Sequence, residues 1–273
     1  MKIKNKVRFY VQLFFFVFIA LIVANHQLED IGLSIPLIPT LSLHAICPFG
    51  GVETLYSLVT YNQYLPKLHE STIILFGLVM ISSILFGPML CSYLCPLGSI
   101  QEWVGKLGKR LFKSKYNNFI PRKLDYWMRY FRYFSLVAVV YLTAKSLTLV
   151  FLEVDPFYAL FNFYTSEVAI GSILVLIATL GLSLFVERPW CKYACPYGAL
   201  LGLTNLIRIF PIRRKEDSCT SCKLCDRNCP MNIEISTKSS IRDTGCIACH
   251  DCLSEVSCPI ENTVVIEQFT KKG

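Results

Sequence analysis

Two runs of closely spaced cysteines near the C-terminus restrict the fold of this chain more than any other feature. Eight of the 13 cysteines lie between residue 219 and residue 258. They follow the patterns C-x2-C-x2-C-x3-C-P over 219–230 and C-x2-C-x2-C-x5-C-P over 246–259. Three thiols at intervals of two residues have to lie on one tight loop, and the fourth, before a proline, is free to reach a different centre.

This spacing is the ligand pattern of a bacterial ferredoxin with two [4Fe–4S] clusters, in which the fourth cysteine of each run binds the other cluster. We therefore predict one cluster at Cys219, Cys222, Cys225 and Cys258, and a second at Cys246, Cys249, Cys252 and Cys229. Zinc sites use separated cysteine pairs, so the third cysteine of each run would be superfluous for zinc. A disulfide framework is disfavoured, because cysteines two residues apart are poor partners and the chain is long.

The remainder of the chain is unusually apolar. Hydrophobic residues make up 53% of the sequence, and they concentrate in four blocks at 9–24, 72–89, 134–152 and 168–186. About 20 helical residues cross a bilayer core of about 30 Å, so each block predicts a transmembrane helix. Buried helices of a soluble domain are a weaker interpretation, because nearly all of residues 1–200 would then be core. No A-x-A-like cleavage site follows the first block, which we therefore expect to be a retained anchor.

The distribution of charge predicts the orientation of these helices. Lysine and arginine crowd the N-terminus, the segment 91–132 and the segment after 186, whereas 26–70 carries only Lys67 and 153–167 carries none. The positive-inside rule then places both termini in the cytoplasm of a multi-pass protein of the inner (cytoplasmic) membrane. The basic and aromatic segment 103–130 is expected to contact anionic lipid headgroups. The net charge of +8 follows from this topology, so no nucleic-acid partner is needed.

A short motif occurs twice in the apolar part. Residues 91–98 read CSYLCPLG and residues 191–198 read CKYACPYG. Upstream of each copy, Cys47-Pro-Phe corresponds to Asp155-Pro-Phe in the segments between the blocks. We infer two parallel repeats related by a pseudo-twofold axis along the membrane normal. Such an axis would bring the four motif cysteines together at the cytoplasmic surface: Cys91, Cys95, Cys191 and Cys195.

Three interpretations of these four cysteines remain open. In the first, they hold a further metal centre, either iron–sulfur or a soft metal such as copper. In the second, they exchange electrons as dithiols and disulfides. In the third, they are small buried residues at structural turns. The repetition of the motif disfavours a purely structural role, and the metal centre is the preferred interpretation. The predicted fold class is thus a membrane α-helical domain over 1–204, with four transmembrane helices as two parallel repeats, followed by a cytoplasmic α+β two-cluster ferredoxin-like domain over 205–273.

The chain resembles the NapH/NosR-type membrane iron–sulfur proteins in its four predicted spans, its two C-x3-C-P motifs and its C-terminal double-cluster segment. NapH-like members are similar to it in size. The resemblance implies a quinol dehydrogenase component that passes electrons between the quinone pool and a partner redox protein. NosR-like proteins carry an additional extracytoplasmic FMN-binding domain, for which the segments 26–70 and 153–167 are too short. A flavin- or haem-bearing partner is therefore expected on another polypeptide.

The resemblance leaves two other functions open. The related CcoG-like proteins are associated with copper handling, so the chain is alternatively an assembly factor that reduces a metal or a thiol for another enzyme. Clusters of this kind are often low in potential, so a relay from cytoplasmic ferredoxin to an extracytoplasmic acceptor is a third possibility. The sequence contains neither G-x-G-x-x-G nor a P-loop, which disfavours NAD(P)H oxidation and ATP use.

Quinol oxidation requires a proton acceptor, and ionisable residues in membrane segments are functional candidates. Six such groups are expected toward the outer side: Lys145, His44, Glu53, Glu153, Asp155 and His69. Lys145 is expected to snorkel to the interface, Cys47 to be a lone buried thiol, and His250 to tune a cluster without binding it. An outer quinol site would lie up to about 30 Å from the ferredoxin clusters, so we expect an intermediate carrier at the four motif cysteines.

Overall fold

The computed structural model describes residues 5–30, 70–146, 150–163 and 168–267, and this part of the chain is mostly helical. The α-helices are α1 (Asn5–Asp30), α2 (Glu70–Phe86), α3 (Pro96–Phe112), α4 (Arg122–Met128), α5 (Phe131–Ser146), α6 (Pro156–Asn162), α7 (Ile170–Ser183), α8 (Pro196–Thr204) and α9 (Leu224–Arg227). Two π-helical turns are π1 (Leu90–Leu94) and π2 (Trp190–Ala194). Four 3-10 turns lie at Lys113–Lys115, Val150–Glu153, Asn205–Ile207 and Asp251–Leu253. The strands are β1 (Ile212–Arg214), β2 (Ser240–Ile241) and β3 (Val264–Ile266).

The two C-x3-C-P motifs have the same local structure. Each begins in a five-residue π-helical turn and ends at a cysteine with extended backbone: φ −68° and ψ 114° at Cys95, φ −65° and ψ 114° at Cys195. A residue before proline is disfavoured in the helical region, so the π turn stops at this cysteine. The proline then begins the next helix, α3 or α8, at a position where its missing N–H costs nothing.

The helices pack as two interlocking units. In the first unit α1 contacts α3 and π1, and in the second α5 contacts α8 and π2. Each proline-initiated helix also crosses to the other unit, α3 onto α7 and α8 onto α2. The α3–α7 approach is very close, because a Cβ at Gly108 would lie 2.1 Å from the carbonyl oxygen of Leu184. The repeat inferred from the sequence is therefore also a repeat of structure.

Helix length bears on the four predicted spans. Within the described residues, one helix, over Lys6–His26, is long and apolar enough to cross a membrane by length and composition, and it lies near the N-terminus. Apolar helices over Ile73–Phe86 and Ile170–Ser183 are shorter. The 14 residues of α7 extend about 21 Å, less than the ~30 Å of a bilayer core. The four-span arrangement stays a prediction.

The segment 150–163 folds back into the bundle. Helix α6 packs against α7 and α3, with Ala159 fully buried and the ring of Phe161 5.8 Å from that of Phe16 in α1. The sequence predicts 153–167 as an outer segment between two apolar blocks, whereas its first part forms a helix within the bundle. The sequence explains the difference, because α6 is apolar along most of its length and gains burial between the helices.

The cysteine-rich end contains a three-stranded antiparallel sheet in the order β2-β1-β3. Ile212 of β1 pairs with Ile241 on one side and Ile266 on the other. The core around this sheet is continuous with the bundle, because it includes Tyr197 and Leu201 of α8. The two predicted domains therefore share buried apolar side chains across residue 204.

Candidate iron–sulfur sites

Left-handed residues shape both cysteine runs in the same way. In the first run Ser221 and Lys223 have φ 56° and 58°, and in the second Ala248 and His250 have φ 49° and 63°. None of the four is glycine, so each position carries a backbone cost that the surrounding loop offsets. Such alternation turns successive N–H groups toward one point, the nest that occurs at many iron–sulfur sites. The two runs are thus pseudo-symmetric copies of one loop.

The four cysteines assigned to the second cluster line one cavity: Cys229, Cys246, Cys249 and Cys252. Most of the other walls of this cavity are isoleucine and methionine side chains. Burial raises the pKa of Cys229 to about 12, so loading a metal centre onto this thiol releases a proton. Four convergent thiols, apolar walls and the nest of N–H groups fit a [4Fe–4S] cluster.

The first quartet lies nearer the solvent. Cys225 is buried, Cys219 and Cys258 are half-buried, and Cys222 is exposed. The backbone N–H of Ser221 and the Arg214 side chain lower the pKa of the Cys219 thiol. The chain after Cys258 returns to the start of this run, where Lys215 N donates to Thr263 O at 2.8 Å and Thr263 Oγ1 donates to Ser218 O at 3.4 Å.

Throughout the described residues, no three His, Cys, Asp or Glu side chains form a group suited to one metal ion. A single-ion site needs ligands that converge on one atom, whereas each thiolate of a [4Fe–4S] cluster binds a different iron and stands further from its neighbours. The assignment of the eight cysteines to two clusters stays a prediction, for which the shared cavity and the two nests are the structural support.

The two C-x3-C-P motifs bring their four thiols together. The charge of Cys195 would interact with those of Cys191, Cys91 and Cys95, so these thiols lie within one small region. Burial raises the pKa of Cys191 to about 12. Two polar contacts reach the second motif: Gln101 Nε2 lies 3.7 Å from Cys191 Sγ, and Gly198 N lies 3.3 Å from Cys195 Sγ.

A buried ionic cluster supports the first motif. Arg188, which is fully buried, donates to the carbonyl oxygen of Cys91 at 2.5 Å and to Glu102 at 2.6 Å. Glu102 also accepts from Arg8 at 2.5 Å and from Gln12 at 3.0 Å. Burial alone would raise the pKa of Glu102, but the charges of Arg188 and Arg8 outweigh it and hold that pKa at about 2. The carboxylate is therefore ionised throughout the physiological range.

The first motif also contacts the second cysteine run directly. Tyr93 Oη lies 3.1 Å from His250 Nδ1 and donates to Cys249 O at 3.3 Å. Ser92 Oγ donates to Ala248 O at 3.3 Å. Close to these contacts, Arg8 pairs with Asp251 at 2.6 Å. The loop around Cys91 is thereby joined to the loop that carries three of the four thiols of the second cavity.

The second motif has a different partner. Lys192 Nζ and Tyr193 Oη both lie 2.5 Å from Asp125 Oδ1, and Arg129 pairs with the other carboxylate oxygen. Burial alone would raise the pKa of Asp125, but Lys192, Tyr193 and Arg129 outweigh it and lower that pKa. Asp125 belongs to α4, in the segment that joins the two repeats. This segment therefore binds the second motif through Lys192 and Tyr193.

The candidate proton acceptors are distributed unevenly. Asp155 is buried at the start of α6, where its Oδ1 accepts from Phe157 N at 2.9 Å and its charge would interact with that of Cys95. This position corrects the expectation that it lies far from the motifs. Burial raises the pKa of Asp155 to about 7. Lys145 and Glu153 are exposed. The remaining candidates lie outside the described residues: His44, Glu53 and His69. Cys47, expected to be a lone buried thiol, also lies outside them.

Several residues of these sites escaped the sequence analysis. Arg188, Glu102 and Asp125 carry the buried charges around the motifs. Arg188 pairs with Glu102 across 86 residues of chain, and Asp125 pairs with Lys192 across 67. Tyr93 and Tyr193 did carry a signal, because tyrosine is the third residue of both motif copies. A polar residue shared by two otherwise apolar repeats is a reasonable indication of a buried contact.

Comparison with known proteins agrees with this organisation. The 4Fe-4S binding domain family matches the chain twice, over residues 68–115 and 168–215. The matches cover α2 to α3 and α7 to α8, so they fall on the two C-x3-C-P repeats and stop before the cysteine runs. No solved structure matches the chain.

Three relatives illustrate the similarity. YccM of Escherichia coli, named as an electron transport protein, is 32% identical over 224 residues, which cover 80% of this chain and 61% of YccM. The uncharacterized protein MJ0750 of Methanocaldococcus jannaschii is 30% identical over 214 residues, 78% of this chain and 84% of that protein. The ferredoxin-type protein NapH of Escherichia coli is 29% identical over 164 residues, 59% of this chain and 54% of NapH.

The repeated motifs, the cysteine runs and these matches define a class of helical, ferredoxin-type iron–sulfur proteins of electron transport. Within this class the chain belongs to the NapH/NosR-type family. It spans 61% of the length of YccM, so the activity and partners of the whole protein are matters for proposal.

Proposed function

We propose that this protein is a membrane-embedded electron carrier that moves electrons between the quinone pool and a partner redox enzyme, as a quinol dehydrogenase component. The observation that carries the proposal is the direct contact between the loop of Cys91 and the loop of Cys249 through Tyr93. It connects the thiols within the helical bundle to those of the ferredoxin-like segment.

The surface of the bundle supports membrane insertion. Large apolar side chains are exposed at helical spacing on the four helices that lie in the apolar blocks, α1, α2, α5 and α7: Phe14, Phe18 and Leu21; Ile74, Leu78 and Ile81; Phe134, Val137 and Tyr141; Ile170, Leu174 and Ile177. Isolated exposed apolar residues are ordinary, but contiguous stripes mark a surface that is covered by lipid or protein. Because all four helices expose such a stripe, we propose that lipid covers them and that the bundle spans the inner membrane with both termini in the cytoplasm.

The residues present suggest a division of roles. In this proposal, Cys219, Cys222, Cys225 and Cys258 hold one [4Fe–4S] cluster and Cys229, Cys246, Cys249 and Cys252 hold another, while the four motif cysteines hold a further redox centre. A bound [4Fe–4S] cluster supplies one-electron transfer. Quinol releases protons when it is oxidised, and Asp155 is a buried carboxyl beside Cys95 that is suited to accept one.

A second candidate function is a relay fed by a soluble ferredoxin in the cytoplasm. The observation in its favour is that Cys222, in the first cysteine run, is exposed to solvent. A thiolate ligand at the surface would bring its cluster close to a soluble partner, which suits electron entry as well as electron exit at this end.

Anaerobic EPR of the purified protein, before and after addition of a menaquinol analogue, separates these functions. Dithionite, which reduces low-potential clusters, provides the reference signal. Reduction by quinol, at a rate compatible with turnover, supports the quinol dehydrogenase component. Reduction by dithionite alone would remove that proposal and favour the ferredoxin-fed relay, or an assembly factor if reduced ferredoxin is also inactive.

A further inference from the structure

Of the large, fully buried cationic side chains among the described residues, two are paired with a carboxylate and one is not. The three largest fully buried side chains are Arg188, Arg208 and Lys192. A buried charge is tolerated when it is paired and hydrogen-bonded. Arg188 faces Glu102 at 2.6 Å and Lys192 faces Asp125 at 2.5 Å. Arg208 has no such carboxylate among the ion pairs of the described residues.

Arg208 is held in place by its backbone. It follows the 3-10 turn at Asn205–Ile207 and directly precedes two residues that bind the end of α2, Ile209 N to Ile84 O at 2.9 Å and Phe210 N to Leu85 O at 3.0 Å. Its carbonyl oxygen accepts from Arg242 Nη2 at 3.0 Å. The guanidinium rests against Gly87, where a Cβ would lie 2.9 Å from the Cζ atom of Arg208. Glycine at that position therefore leaves the space that the guanidinium occupies.

The guanidinium of Arg208 faces the second cysteine run. Its side chain hydrogen-bonds to Cys246, and its charge would interact with those of the Cys246 and Cys252 thiolates, two of the four cysteines that line the cavity. Across the described part of the chain, none of its three nitrogens has a carboxylate or carbonyl oxygen as acceptor. No carboxylate of the described residues therefore balances the positive charge of Arg208. Four thiolates around an iron–sulfur core carry a net negative charge, which would balance it.

We propose that Arg208 is the buried counter-charge of the cluster held by Cys229, Cys246, Cys249 and Cys252, and that it raises the reduction potential of this cluster. The inference rests on the proposed function in that it assumes the cluster is present. Reduction adds one electron from the donor and breaks no bond, so the negative charge of the site grows by one. A fixed cation at short range in a poorly polarisable interior favours this more negative form. Arg208 is a positioning residue, because it tunes the site without binding iron.

The test is a potentiometric titration of the anaerobically purified, full-length holoprotein, followed by EPR. Cys252→Ala and Cys222→Ala assign the signals to the second and first clusters. In Arg208→Gln we expect the midpoint potential of the second cluster to fall by at least about 59 mV. At the midpoint potential of the parent protein, this is a fall of about tenfold in the ratio of reduced to oxidised cluster for a one-electron couple. The first cluster should shift by less than about twofold. Arg122→Gln makes the same chemical change at an exposed ion pair and should leave both midpoints unchanged.

An unchanged midpoint of the second cluster in Arg208→Gln would overturn the inference. If this variant purifies without the second cluster, Arg208→Lys decides, because it keeps the charge in a different shape. A lysine variant with the cluster restored near the parent midpoint supports the charge effect, whereas a missing cluster or a tenfold shift would refute it. Failure of the underlying function looks different, since the parent protein itself would then show no [4Fe–4S] signal.

Discussion

Tyr93 Oη lies 3.1 Å from the Nδ1 atom of His250, and this contact breaks the symmetry of the two repeats. Tyr193 occupies the matching position of the second motif, but its hydroxyl lies 2.5 Å from Asp125. One motif therefore faces the second cysteine run and the other faces the segment that joins the repeats. The two tyrosines offer a matched pair of variants in which the same atom is removed from equivalent positions.

Tyr93→Phe should alter the second cluster, and Tyr193→Phe should not. Removing the Tyr93 hydroxyl takes a donor from the carbonyl oxygen of Cys249, and a neutral hydrogen bond contributes roughly 1 kcal/mol, or about a fivefold change in an equilibrium. We expect a change of this order in the ratio of reduced to oxidised second cluster, measured by EPR at fixed potential. Equal responses of the cluster to the two variants would show that the contact has no special part in coupling the sites.

Glu102→Gln should be among the most destabilising single substitutions in the bundle. The carboxylate neutralises two buried guanidinium groups, those of Arg8 and Arg188. Removing one partner of a buried ion pair typically costs 3–5 kcal/mol, because it leaves uncompensated charge in the interior. The measurement is the free energy of unfolding in detergent. Glu234→Gln is the control: it breaks an exposed pair with Arg122 and should cost no more than about 1 kcal/mol.

The same carboxylate gives a pH dependence with a definite sign. The pKa of Glu102 is lowered from its ordinary 4.5 to about 2 in the folded protein. A lowered pKa means that the stabilisation is complete above about pH 4.5 and is lost as the pH falls toward 2. The stability difference between parent and Glu102→Gln should therefore shrink by about 3 kcal/mol across this interval. The comparison cancels acid effects common to both proteins, and a difference that stays constant from pH 5 to pH 2.5 would contradict the assignment.

The sequence was sufficient for the features that are encoded locally or by repetition. The spacing of the cysteine runs predicted two equivalent loops, and the left-handed residues at Ser221 and Ala248 are equivalent in the structure. The double C-x3-C-P motif predicted that Cys91 and Cys195 would lie close together, and in the structure a charge on one thiol would act on the other. Such patterns depend on a few neighbouring residues, so a single sequence reveals them.

Features that depend on distant pairs were missed. Arg188 and Glu102 are 86 residues apart in the chain, and neither has a local signature, since both lie in segments rich in charge. The sequence predicts Asp155 toward the outer side, because it lies in a segment between two apolar blocks. That segment instead forms α6 and packs back onto α3, an outcome decided by burial of α6 and not by its position in the chain.

Gly202→Ala should loosen the junction between the bundle and the cysteine-rich end. A Cβ at Gly202 in α8 would lie 2.4 Å from the carbonyl oxygen of Thr244, two residues before Cys246. This is too close for a real contact, so the loop must shift, and overpacking of this kind costs roughly 1–3 kcal/mol.

Gly77→Ala in α2 is the matched control, because its Cβ would meet nothing within 4 Å, and alanine should gain up to about 1 kcal/mol in helix propensity. Thermal unfolding of both variants in detergent measures the difference in stability. A Gly202→Ala protein as stable as Gly77→Ala would show that the junction accommodates the added methyl group without strain.

The iron content of cysteine variants tests the centre proposed at the C-x3-C-P motifs. Two [4Fe–4S] clusters account for about eight iron and eight acid-labile sulfide per chain, so a further iron–sulfur centre predicts more than eight of each in the parent protein. The variant with serine at all four motif cysteines should return to about eight and lose one redox signal, because hydroxyl groups are poor substitutes for thiolates as ligands of iron. Cys47→Ser, the same change at a cysteine outside the motifs and runs, should leave the iron content unchanged. If the quadruple variant keeps every iron atom and every redox signal of the parent, the motif thiols hold no redox centre, and the contact between Tyr93 and His250 joins the ferredoxin-like segment to a purely structural turn.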